Sequence, residues 1–225
     1  MSKLSDIISR LAWSAPLVLA ARQPTSMAAC YDMSFVGVEV LKRFGLNARL
    51  LPCVVIAKSS DGSYAHCLGL NESEIRARAA DVDGLVSGVV ETLNPDHSHH
   101  HVAIEVKDRG ARVVVDLTIG QLRRYGVPTP FTMWGFCRDW PTWDVDGWHI
   151  QYEPSPRLDE AIARAGLYAA KLGVMIEELE ELIRHARQYR NHDDFFRSLR
   201  ASNDRITWSR TLDVMNTWME LGSRP

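Results

Sequence analysis

Two runs constrain the fold of this chain most: HVAIEV at 101–106 and RVVVDL at 112–117. Both are dominated by β-branched residues, and the first alternates as a strand does. Between them, Lys107-Asp108-Arg109-Gly110 has the length and the glycine that a tight reversal requires. The pair predicts an antiparallel hairpin, and antiparallel pairing brings the ends of the two strands side by side. His101 opens the first strand and Asp116 closes the second. Asp116 ends a run of three valines, where burial is expected and a lone carboxylate is costly without a partner. Histidine is a suitable partner; the simpler reading is a strand-end Asp that turns back onto the Thr118 backbone.

Around this hairpin the chain reads as a mixture of helix and strand. Residues 4–22 predict a helix broken near Pro16. After a loop beginning Gln23-Pro24, residues 27–44 repeat apolar side chains at helical spacing (Met33, Val36, Val40, Leu41, Phe44), and Gly45 stops them. A Val/Ile/Leu-rich strand follows at 48–57, where Pro52 suggests a sheet edge. The turn at Asp61-Gly62 leads into a second strand at 64–70. Residues 73–80 predict a short helix, 86–93 fit either helix or strand, and 94–100 form a histidine-rich loop. The stretch 120–146 reads as irregular, rich in Pro and Trp, with a last strand at 147–152. Beyond Pro154 and Pro156 the period becomes helical, over 158–190, 193–199 and 203–221. The expectation is an α+β core over 1–156 and a helical extension over 157–225 packed on it.

Composition excludes several classes. Apolar residues make up 46 % and charged residues 24 % of the 225, as in globular proteins. A net charge of −2 offers no overall basic surface for nucleic acid. The four cysteines form no Cys-x-x-Cys pair, so neither a disulfide framework nor a common zinc spacing is expected. That usage fits reduced thiols and a cytoplasmic location. Asp6 and Arg10 interrupt the apolar N-terminal segment, which reads as a packed helix rather than a secretion signal. No run of 18 apolar residues suggests a membrane span.

Cys30 carries the chemical interest. It falls in the first turn of a helix, where unpaired N–H groups and the helix dipole favour thiolate over thiol. Those N–H groups also suit an oxyanion. An isolated cysteine is more often simply a small buried side chain. Cys53 lies inside an apolar strand and Cys137 in the aromatic loop. Cys67 adjoins His66, but neighbours on a strand point to opposite faces and cannot cooperate. His97, His99 and His101 would share one face of an extended segment, yet no acidic or Cys ligand stands at a metal spacing. No metal or cofactor is expected. His99 and His100 compete with His101 as a base, and the strand register favours His101.

The order Cys30, His101, Asp116, with the first on a helix and the others on adjacent strands, resembles the transglutaminase-like and papain-like cysteine enzymes, a superfamily that includes the arylamine N-acetyltransferases. Three segments carry the likeness: Cys30 leading into LKRFGLNARLL, His101 leading HVAIEV, and VVVDLTIGQ around Asp116. They span residues 26–121. The stretch between Cys30 and His101 is longer than the family core needs, and Tyr31 and Ala103 stand where family members often have tryptophan. The resemblance implies a papain-like or transglutaminase-like core and a Cys-His-Asp triad. It also implies a covalent acyl-enzyme on a peptide, side-chain amide or thioester, resolved by water or by transfer to an amine. In papain-like enzymes a glutamine before the cysteine donates to the oxyanion. Gln23, seven residues upstream, is the candidate here, or else a loop residue facing water. Tyr31, Trp134 and Trp143 are candidate groove residues, although most aromatics of 131–148 are expected simply to pack. A different class of reading is a catalytically silent relative that binds a protein partner, or a second copy, through its C-terminal helices. The Glu177, Glu178, Glu180 and Glu181 face is expected to be solvated.

Overall fold

The computed structural model describes residues 2–22, 30–62, 64–69, 101–155, 169–201 and 211–217. Gln23, His97, His99, His100 and the segments read at 73–80 and 86–93 lie outside the described residues. Two helices, α1 (Lys3–Arg22) and α2 (Cys30–Arg43), precede the sheet. The strands are β1 (Asn47–Ser59), β2 (Ala65–Leu68), β3 (His101–Asp108), β4 (Ala111–Asp116), β5 (Met133–Phe136), β6 (Thr142–Val145) and β7 (Trp148–Pro154). A 3₁₀ helix, Ile119–Tyr125, links β4 to β5, and α3 (Ala169–Ala186) and α4 (His192–Ala201) follow the sheet. A further helical run occupies 211–217.

The strands form one antiparallel sheet in the order β5-β4-β3-β1-β7-β6, with β2 on β1 beyond the end of β3. The predicted hairpin is present as β3–β4. Its turn is Arg109-Gly110, both at positive φ (47° and 84°), the backbone that matches the twist of a two-residue reversal. Asp146-Gly147 repeats the device between β6 and β7. Strands β5 and β6 lie in the stretch read as irregular; each has only four residues, too few for alternation to register.

Pro52 departs from its reading as an edge residue, because β1 is central. Its carbonyl accepts from Ser155 N on the side facing β7, one residue past the last pair, Cys53–Pro154. The missing N–H therefore falls where that ladder has ended, and pairing with Val102 of β3 is unharmed. Pro16 does not break α1 either. Proline cannot bond the carbonyl four residues back, and that carbonyl, Ala12 O, instead accepts from the Thr132 hydroxyl at 3.2 Å.

Both sheet faces are covered. Ile104, Val106, Val113, Val115 and Leu117 pack against α1, α2 and α3. Gly37 allows α2 to lie close on the sheet: a Cβ there would stand 2.5 Å from Ile104 Cδ1. On the opposite face Leu51, Cys53, Ala103, Val114 and Tyr152 pack with Ile119 and Leu122 of the 3₁₀ helix. α1 is long and apolar enough, by length and composition, to cross a membrane, and 67 % of its most apolar stretch is buried in this core. The acidic face of α3 is not wholly solvated: Glu178 pairs with Arg22 of α1, and Glu180 with Arg43 of α2 at 2.8 Å.

Candidate active site

The open end of the β3–β4 hairpin is where the two layers meet. Alternation puts His101 and Asp116 on the face of Ala103 and Val114, away from the long helices. α2 reaches them past the strand end: Ser34 donates to Val102 O at 2.6 Å, which sets Cys30, one helical turn earlier, beside the start of β3. His101 Nε2 lies 2.6 Å from Asp116 Oδ2, and the Cys30 side chain hydrogen-bonds the same imidazole. The structure thus brings Cys30, His101 and Asp116 together, all buried.

Two further side chains complete the cluster. Tyr152 donates its hydroxyl to Asp116 Oδ2 at 2.7 Å, and Gln121 places Nε2 3.0 Å from His101 Nδ1. Neither stood out in the sequence. Tyr152 occupies an inward position of a strand that was recognised, so a buried phenol was legible, but its partner lies on a non-adjacent strand. Gln121 lies on a 3₁₀ helix inside an irregular stretch, and no spacing signals it. Asp116 serves both of its sequence readings: Oδ2 takes His101 and Tyr152, while Oδ1 accepts Thr118 N at 2.9 Å.

The electrostatics follow from burial and pairing. Burial by itself would lower the His101 pKa; the Asp116 carboxylate, aided by Cys30, overrides it and raises the pKa from 6.5 to about 10. Burial works to raise Asp116, yet His101, Tyr152 and the Thr118 N–H hold it below the usual 3.8. The pair is therefore an imidazolium and a carboxylate at neutral pH. A doubly protonated ring offers no acceptor, so with His101 charged the Gln121 amide presents its oxygen to Nδ1. Burial and the same carboxylate push the Tyr152 phenol well above 10, keeping it a donor.

The remaining candidates separate clearly. Cys53 is the cross-strand neighbour of His101, and burial followed by Asp116 pushes its thiol well above 9.0. Burial also raises Cys137, which sits 3.4 Å from Arg112 on the far side of the hairpin. His66 stacks on Tyr125 (4.8 Å) against one face, whereas Cys67 packs with Val54 on the other. Tyr31 lies partly buried in the first turn of α2. Trp143 stands edge-on to Tyr152 at 5.0 Å and so backs the cluster, while Trp134 packs against the helix-side core. Gly69, at φ +90°, crosses the start of β3 so closely that a Cβ would meet Cys53 O at 2.7 Å and His101 N at 3.0 Å. Among the described residues no group of three or more His, Cys, Asp or Glu could hold a metal.

No protein-family model, no curated protein and no solved structure matches this chain. The architecture defined by its elements is a mixed α+β fold: an antiparallel sheet packed against N-terminal and C-terminal helices.

Proposed function

We propose that the chain is a cysteine-dependent hydrolase of amide or thioester bonds, with a core of the papain-like or transglutaminase-like kind. The observation that carries the reading is one imidazole shared by a carboxylate at 2.6 Å and a cysteine at a helix start. The Cys30 thiolate, paired with the imidazolium of His101, attacks the substrate carbonyl carbon, whose π electrons move to oxygen. As the tetrahedral adduct collapses, the bond to the leaving nitrogen or sulfur breaks and His101 returns the proton to it. The acyl thioester on Cys30 is then attacked by water, which loses a proton to His101, releasing the acid and restoring the thiolate–imidazolium pair. An amine in place of water gives acyl transfer by the same steps. Asp116 holds the ring orientation and stabilises its charge, and Tyr152 and Thr118 hold Asp116.

Mass-resolved iodoacetamide labelling tests this reading. Cys30 is expected to alkylate at least ~10-fold faster than Cys53, Cys67 and Cys137 near neutral pH, and His101→Ala is expected to abolish the advantage. A Cys30 that reacts like the other thiols would sink the enzyme reading and leave a binding module, with α3 and α4 as its docking elements.

A further inference from the structure

A cavity of about 610 Å³ lies between α1, the 130–132 segment, α4 and the 211–217 helix. That volume suits a drug-sized molecule. Trp13, Phe131, Phe196, Leu212 and Met215 supply apolar walls. The polar lining is unequal in charge. Arg197 and Arg200 both line the cavity, against the single carboxylate of Asp193. Arg197 is bound to Asp194 of its own helix at 3.2 Å. Arg200 is exposed and has no ion-pair partner among the described residues. His192 also lines the cavity, its ring 4.1 Å from that of Phe196 and tilted by 32°.

The cavity shares two wall residues with a cleft beside Gln121. Pro16 and Phe131 belong both to its wall and to a small cleft whose opposite side includes Leu117, Thr118 and Gln121. Gln121 is the residue that touches His101. Phe131 can sit at this junction because Gly120 has no side chain: a Cβ there would stand 3.0 Å from Phe131 Cα. The two hollows thus share Pro16 and Phe131, and Gln121 stands between the smaller one and the imidazole.

We infer that this cavity binds the acyl portion of the substrate, a long apolar chain ending in an anionic group, with the anion at Arg197 and Arg200 and the reacting carbonyl directed toward Gln121 and Cys30. This rests on the cysteine-enzyme reading. The arginines select charge sign and the aromatic walls select bulk; neither discriminates between carboxylate and phosphate heads.

Calorimetric titration of the Cys30→Ser chain with monomeric dodecanoate and dodecyltrimethylammonium tests the ligand class. Dodecanoate is expected to bind at least ~10-fold more tightly, and the Arg197→Gln/Arg200→Gln double variant is expected to erase that preference. In the wild type, saturating dodecanoate is expected to slow alkylation of Cys30 and leave that of Cys67 and Cys137 unchanged. Equal binding of the two probes, no binding, or binding that leaves Cys30 unprotected overturns the inference. A fast, His101-dependent Cys30 in a chain that ignores dodecanoate removes the cavity assignment alone. An inert Cys30 in a chain that prefers dodecanoate removes the enzyme and its substrate, and leaves only a site for amphipathic anions.

Discussion

Asp116 is the residue on which the cluster depends, since His101, Tyr152 and both the N–H and the hydroxyl of Thr118 converge on its two oxygens. Asp116→Asn keeps the shape but removes the charge that holds His101 protonated. The expected result is loss of the Cys30 alkylation advantage and a stability loss of about 3 kcal/mol in urea unfolding, the scale for breaking a buried ion pair. Gln121 acts on the ring from its other nitrogen. Gln121→Glu adds a negative charge beside the imidazole and the sulfur, so half-maximal alkylation of Cys30 is expected at higher pH, whereas Gln121→Leu should lower the rate without that displacement. A purely structural role for Gln121 would make both variants shift alike. Hydrogen-bonded pairing of His101 with Asp116 was legible from strand ends and a buried carboxylate. Gln121 and Tyr152 were not, because their contacts join segments with no common period.

Elements succeed here where local rules would have stopped them. α1 passes through Pro16 because Thr132 takes up the freed carbonyl of Ala12, 120 positions earlier in the chain. Thr132→Val should therefore cost about 1–2 kcal/mol in thermal or urea unfolding. In a Pro16→Ala background, where the helix bonds that carbonyl itself, the cost should shrink; equal costs in both backgrounds would contradict the account. The same logic explains Pro52, which is harmless only because the β7 ladder ends beside it. The hairpin, the Gly45 stop of α2 and the strand read at 48–57, which spans 47–59, were readable because periodicity and turn chemistry are local properties. β5 and β6 were not, since four residues cannot display a period and their pairing is supplied by β4 and β7.

For the whole molecule, the buried imidazolium–carboxylate pair links folding to pH. A raised His101 pKa contributes stability that is complete below 6.5 and disappears as pH rises through about 10. A lowered Asp116 contributes stability that is present above 3.8 and disappears as pH falls below it. The stability difference between wild type and His101→Phe is thus expected to be largest between roughly pH 4 and 7 and to narrow on either side, as measured by melting temperature across pH. A difference that is flat with pH would mean the ring is neutral in the folded chain. Surface pairs such as Arg43–Glu180 and Arg187–Asp6 tie α3 to the N-terminal helices, but exposed pairs of this kind add little.

Sequence alone determined the hairpin with a histidine and an aspartate at its open end, the helix carrying Cys30, and the change to helical period after the sheet. Each follows from spacing within a dozen residues, where backbone geometry dictates which side chains share a face. Tertiary structure decided that Cys30 crosses from the helix layer to the imidazole, that Gln121 and Tyr152 close the cluster, and that a cavity lined by two arginines forms between α1 and α4. These depend on which element ends meet in space, and burial makes their consequences large: out of water, charge and hydrogen bonding at one imidazole are set by neighbours that no local pattern names.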